Sequence, residues 1–334
     1  FYSYHSYIVN GLTNRTFILK GGPGSGKSTI MKEIGKKYEK NFTVEYHHCP
    51  SDSDSVDAVV LVEPKIAVID GTAPHIIDPA MPGLLDEIVD LGKYIDESTI
   101  SNYKEKILKA KSDNKKSYRS AYSFFRASSE ILGEIVQSRK EVMDYGKINH
   151  LLSEMISEIF KGQSCGFKVG RKRHLFNKAL TPAGLIDYTE TIINNTSHKY
   201  IIKGEYGTGK DTILRRIAEE AVALGLDVEI FHQPLMPRKI NSIIIPQLSV
   251  SIITNTIDIS NEENAIDLNN FLIEDIDLED YNNIFCMLVE KGIEKLKLAK
   301  ANHELLENYY HKAIDFDGIN EEKNKIIAKI NNSL

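Results

Sequence analysis

The sequence predicts an α/β protein made of two tandem domains, each with a mainly parallel sheet and an appended helical hairpin. Three observations lead there. A glycine loop ending in Gly-Lys occurs twice, as GGPGSGKST (21–29) and as GEYGTGKDT (204–212). Each loop stands between a short β-rich run and an amphipathic helical pattern, the order of a strand–loop–helix unit. The segments after the two loops also match one another in sequence order, which marks an internal repeat.

The elements can be justified in turn. RTFILK (15–20) and KYIIK (199–203) read as strands that feed the loops. TIMKEIGKKY and TILRRIAEEA carry apolar residues at helical spacing after them. FTVEYHHCP (42–50) matches LDVEIFHQP (226–234), down to the closing proline. DAVVLVEPKIAVIDGT (57–72) matches NSIIIPQLSVSIITNT (241–256) without a gap. Long lysine-rich helical segments close both copies, at 101–136 and 281–314. Strands alternating with helices imply a sheet covered on both faces.

The seam falls near GQSCGFKVG (162–170). The expected domains are therefore 1–165, with a helical hairpin at about 100–160, and 166–334, with one at about 281–334. The second copy has a preamble, RKRHLFNKALTPAG (171–184), with no counterpart before Phe1, so further residues are expected upstream.

Composition narrows the function classes. With 334 residues there is material for two cores. Hydrophobic content of 42% and charged content of 26% are those of a globular chain. A net charge of -6 gives no general attraction for nucleic acid or anionic lipid. The longest apolar runs, AVVLV (58–62) and IIIPQLSVSII (243–253), are too short or too interrupted to span a bilayer. Cys49, Cys165 and Cys286 form no disulfide pattern, and the opening FYSYHSYIV is not a secretory signal. A cytoplasmic location without membrane attachment is expected.

The first loop fits G-x-x-x-x-G-K-[ST] in full. Gly21, Gly22, Gly24, Ser25 and Gly26 allow backbone N–H groups to turn inward around phosphate oxygens, helped by the N-terminus of the next helix. Lys27 is the expected partner of the β- and γ-phosphates, Ser28 the expected Mg²⁺ ligand, and Thr29 a further hydroxyl. KIAVIDGT (65–72) supplies Asp70 at a strand end, suited to holding Mg²⁺ through water. Asp52 and Asp54, in the loop after VEYHHC, are candidates for placing an attacking water, since Gly71 follows Asp70 where a glutamate would serve that role.

This loop, the HHCPSDSDSVD stretch, the VIDGTAPH strand end and the tandem layout resemble a bacterial group of tandem P-loop ATPases of nucleotide-kinase-like character. The resemblance covers most of the chain and implies two P-loop NTPase domains that bind nucleotide, with the substrate left open. The second copy departs from it. Gly204, Gly207, Gly209, Lys210 and Thr212 remain, but Asp211 stands at the place of Ser28 and Thr254 at the place of Asp70. A carboxylate 4 Å from a phosphate costs roughly 4 kcal/mol per charge pair at an effective dielectric near 20. The second loop is therefore expected to be degenerate. The alternative is that Asp211 ligates Mg²⁺ directly, with Thr254 helping through water.

His47, His48, Cys49 and His75 contain zinc-ligand types, but their spacing fits no closed zinc pattern. His75 and Asp78 are candidate phosphate or substrate sensors, and the basic cluster Arg171, Lys172, Arg173 and His174 a candidate source of an arginine finger. The lysine-studded helix (Lys104 to Arg119) has the outward basic face of an ordinary packed helix, so no nucleic-acid partner is expected. The lack of an LSGGQ-like run argues against a transporter-type ATPase, and with no Asn-Lys-x-Asp run to support guanine specificity ATP is the nucleotide left by elimination. The expected activities are slow ATP hydrolysis or a nucleotide switch in the first copy; transfer of the γ-phosphate to a small-molecule acceptor; or a nucleotide-dependent scaffold for a protein partner, in which binding alone moves the hairpins.

Overall fold

The computed structural model describes residues 4–9, 13–255 and 265–334. The elements of the first repeat are α1 (Ser6–Val9), β1 (Arg15–Lys20), α2 (Lys27–Tyr38), β2 (Val44–Cys49), β3 (Asp52–Leu61), β4 (Ile66–Asp70), β5 (Asp86–Asp90), α3 (Glu97–Ser101), α4 (Lys104–Glu141) and α5 (Tyr145–Ile159). The preamble forms β6 (Lys172–Leu175), β7 (Lys178–Thr181), β8 (Gly184–Asp187) and α6 (Thr189–Ile193). The second repeat follows as β9 (His198–Lys203), α7 (Lys210–Ala223), β10 (Val228–His232), β11 (Ile240–Ile245), β12 (Val250–Asn255), β13 (Ile266–Asp267), α8 (Glu279–His311) and α9 (Phe316–Asn331). Residue 256, the last of the repeat match, lies outside the described residues.

The two large sheets share one plan. The first runs β2-β3-β4-β1-β5 and the second β13-β9-β12-β11-β10-β6, while β7 and β8 pair as a separate two-stranded sheet. Most strands in each large sheet are parallel, and the exceptions are β3 and β11, antiparallel to both neighbours. Their direction follows from the links. Pro50 and Ser51 alone join β2 to β3, and Val62 to Lys65 join β3 to β4. A parallel return needs a crossover of a dozen residues or more, so such short links enforce reversal.

β1 shows why these residues form a central strand. Phe17 and Leu19 face one cluster, with Ile30, Met31 and Ile34 of α2, while Ile18 faces another, with Ala58, Ala67 and Ile69. Side chains alternate between the faces of a strand, so an unbroken apolar run is buried on both. Among the described residues no helix is long and apolar enough to cross a membrane.

The compact units do not divide at the expected 165/166 boundary. One unit comprises His5–Ala121, Thr181–Gly184 and Ile293–Leu334; the other has Tyr122–Leu180 and Leu185–Gly292, with Tyr4. The helical ends are thus exchanged between the repeats. In the unit holding β1, Ile319, Ile326 and Ile330 of α9 join the core of Phe17, Leu19 and Met31. In the unit holding β9, Ile148, Leu152, Met155 and Ile159 of α5 join the core of Ile202, Ile213 and Ile217. Buried isoleucines of this kind contribute about 1.5–3 kcal/mol each, so each hairpin is part of the other repeat's core. Polar ties reinforce α9: Tyr38 Oη donates to Asn331 at 2.6 Å, Lys323 meets Glu33 at 2.5 Å, and Tyr94 Oη donates to Glu322 at 2.8 Å.

Candidate functional site

The first glycine loop closes β1 and starts α2. Gly24 and Gly26 take positive φ, 68° and 78°, values that favour glycine and that let the loop turn back on itself. Ser25 is buried, and its hydroxyl donates to Gly22 O at 2.8 Å, which fastens the turn from inside. Lys27 Nζ donates to Gly21 O and Gly22 O, both at 2.9 Å, and stands 3.7 Å from Asp70 Oδ2. Its ammonium is thus held across the mouth of the loop beside a carboxylate.

Sheet register brings Asp70 there. Leu19 on β1 pairs with Asp70 on β4, so the strand carrying the loop and the strand carrying the acid are direct neighbours. Asp70 Oδ1 accepts from Thr72 N at 2.8 Å, and Thr72 Oγ1 donates to Gly21 O at 3.3 Å, linking strand end to loop. Ser28 Oγ accepts from Val56 N at 3.1 Å, and Thr29 is exposed.

The suggested water-placing acids, Asp52 and Asp54, lie in strand β3 and not in a loop after β2 as expected, because only two residues separate the strands. Asp52 accepts from Lys300 at 2.8 Å and from Ser55 at 2.7 Å. Burial pushes its carboxyl up, but these hydrogen bonds outweigh burial and hold it below the usual range. Asp54 is exposed, and Lys32 Nζ donates to its backbone oxygen at 2.9 Å. Asp57 is the acid that sequence reasoning missed. It precedes Ala58, whose partner across the sheet is Ile69, the residue before Asp70. It is 9% exposed, burial pushes its carboxyl up, and His75 Nε2 lies 3.4 Å from its Oδ2. Strand alternation across β3 and β4 was the signal that could have found it.

His47 pairs with Glu45 at 3.2 Å, His48 is exposed, and burial pushes the Cys49 thiol up to about 12. Among the described residues no group of three or more His, Cys, Asp or Glu is arranged to hold a metal ion. Lys20 Nζ donates to Gly71 O at 2.7 Å and to Ile77 O at 2.8 Å, and lies 3.9 Å from Asp78. In the basic cluster Arg171 is bound to Asp227 and Arg173 to Glu229, each at 2.8 Å, which makes them structural ties within their own unit.

The second loop has the same backbone and different chemistry. Gly204, Gly207 and Gly209 all have positive φ, and buried Thr208 donates to Glu205 O at 2.9 Å, as Ser25 does in the first loop. Lys210 Nζ donates to Gly204 O and to Glu205 O, but this lysine is 8% exposed and burial lowers its pKa to about 8. Thr212 is exposed, like Thr29. Asp211 does not face into the loop as expected. Its Oδ1 accepts from Ile240 N at 2.7 Å and from Arg215 at 3.2 Å, and its Oδ2 from Lys239 at 3.1 Å. Asp211 therefore repeats the bond that Ser28 makes with β3, and two cations neutralise it.

Thr254 has no metal-holding geometry either, because its hydroxyl donates to Asn241 O at 2.7 Å. Arg139 of α4 completes the plug: its guanidinium donates to Tyr206 O at 2.6 Å and lies 3.8 Å from Glu205. Nothing in the local sequence of either loop announced that contact.

Comparison with known proteins finds no matching family model, no matching curated protein and no matching solved structure.

Proposed function

We propose that the first loop binds ATP with Mg²⁺, and that the chain hydrolyses it slowly or uses its binding as a switch, while the second loop is a pseudo-site. The observation that carries this reading is Lys27, held by Gly21 and Gly22 carbonyls and 3.7 Å from Asp70. The donor set fits a magnesium nucleotide. Mg²⁺ keeps several waters and takes one or two protein oxygens besides phosphate, and Ser28 and Asp70 are a hydroxyl and a carboxylate flanking that lysine. The metal would neutralise charge developing on the phosphates.

The chain's own residues do the rest. Gly24 and Gly26 shape the amide cradle, and Lys27 exchanges two carbonyl partners for phosphate oxygens. Asp70, fixed by Thr72, keeps the lysine and the metal side of the site in register. The likeness to tandem P-loop ATPases belongs to the same reading. The second loop lacks a matching set, because Asp211 and Thr254 are committed to β11.

Transfer to a small-molecule acceptor is the second reading. It is favoured by Asp57, buried beside the strand end of Asp70 and paired with His75. Buried, perturbed acids in such positions are candidates for orienting a nucleophile. Phosphate release from ATP by the full chain tests the first reading. It should be slow, Mg²⁺-dependent and lost in Lys27→Ala and Asp70→Asn. ADP formation only when an acceptor is supplied would replace it with the second, and release unchanged in Lys27→Ala would remove both.

A further inference from the structure

The rim of the first loop is not built by its own repeat. A Cβ on Gly22 would lie 2.6 Å from Tyr310 Cε1, and one on Gly24 would lie 2.7 Å from His311 Cδ2 and 2.8 Å from His311 Nε2. Real Cβ atoms do not approach so closely, so these rings rest directly on the loop backbone. The pattern G-x-x-x-x-G-K-[ST] does not ask for glycine at either position. At Gly22 Tyr310 does; at Gly24 the positive φ already favours glycine, and His311 adds to the demand.

The placement is enforced by main-chain bonds. Asp96 N donates to Ala313 O at 2.7 Å and Asp315 N to Tyr94 O at 2.9 Å, pinning the turn between α8 and α9 to the segment after β5. Asp315 then caps α9, accepting from Asp317 N and Gly318 N. The other unit repeats this construction. Asp144 N donates to Phe271 O at 2.8 Å, Ile273 N to Val142 O at 2.7 Å, and Asp144 caps α5. Counting back from the two capping aspartates, Arg139 corresponds to Tyr310 and Lys140 to His311. Arg139 donates to its loop, whereas the His311 ring, exposed and set against Gly24, makes no hydrogen bond or ion pair among the described residues and meets Phe316 edge-on.

We propose that the end of α8 completes the nucleotide site of the first loop, with Tyr310 bracing Gly22 and His311 donating a hydrogen bond to the phosphate chain. This rests on the reading of that loop as a nucleotide site. It also accounts for a second repeat whose own loop is plugged: that repeat supplies a wall of the first repeat's site. His311 would touch the phosphate chain directly, as a finger residue does, from the last turn of α8.

Calorimetric titration of the full chain with Mg²⁺-ATP tests this with wild type, His311→Ala, His311→Asn and Lys27→Ala. His311→Ala should weaken binding about tenfold, the worth of one charge-assisted hydrogen bond. His311→Asn keeps an N–H donor and should recover most of that loss, which a merely space-filling role would not produce. Wild-type affinity in His311→Ala, or an Asn variant as weak as the Ala variant, overturns the proposal if Lys27→Ala has lost binding. Undiminished binding in Lys27→Ala instead removes the underlying reading of the loop, and the proposal with it.

Discussion

Ser28 and Asp211 occupy the same place in two copies of one loop, and both accept a hydrogen bond from the first strand reversed in their sheet. The serine bond to Val56 N uses one side of a small hydroxyl. The aspartate is fully engaged, by Ile240 N, Arg215 and Lys239. One backbone shape thus serves two ends: a cradle with a lysine at its mouth, and a closed structural corner. The difference teaches that a degenerate motif can remain geometrically intact when its charge has been redirected into the sheet.

The comparison breaks hardest at the shared cores. Ile330→Ala, in the last helix, should destabilise the unit that holds the first loop by about 2–5 kcal/mol, read from urea unfolding of the full chain. Ile148→Ala should act likewise on the unit that holds the second loop. If each variant unfolded the sheet of its own repeat instead, the exchange of helices would be wrong.

At the loops themselves the expected effects are smaller. Asp211→Ala leaves the Ile240 N–H without its acceptor and should cost about 1–3 kcal/mol. Asp211→Ser should restore most of that stability, because Ser28 makes the same bond, yet gain no nucleotide binding. A variant that bound ATP would mean that the carboxylate alone had silenced the loop, with Arg139 and the committed Thr254 of no account.

At neutral pH the smallest effect is a shared dependence on pH, which grows only as acid is added. His5 in one unit and His232 in the other are both lowered to about 4, first by burial and then by a neighbouring imidazole, His75 or His174. Both are stable as neutral rings. Their contribution is fully present above the unfolded value of about 6.5 and is lost as pH falls from there to about 4. The variants His5→Phe and His232→Phe should flatten the stability curve in that window and leave it unchanged above pH 7. A slope that persisted in the double variant would place the titration elsewhere.

Much of this was legible in the sequence, and the reasons differ by scale. The repeat, both loops and the strand that ends in Asp70 follow from local patterns of glycine and apolar residues, whereas the pairing of that strand with β1 does not. The reversal of β3 was also written there, in links of two and four residues, although the α/β alternation suggested a more uniform sheet. The exchanged helices were not legible. Ile148, Leu152, Met155 and Ile159 form an apolar stripe, as do Ile319, Ile326 and Ile330, but a stripe states only that a face is buried, not against which sheet. Gly22 was the one trace, a glycine that the phosphate motif leaves free and that Tyr310 requires. Asp57 was hidden by the neighbouring acids Asp52 and Asp54, and only its register opposite the end of β4 separates it from them.

The most direct measurement is the number of Mg²⁺-ATP molecules bound per chain, with each loop lysine removed in turn. The account predicts one site, abolished by Lys27→Ala and retained in Lys210→Ala. Two sites in the wild type, or a single site lost only with Lys210, would contradict it.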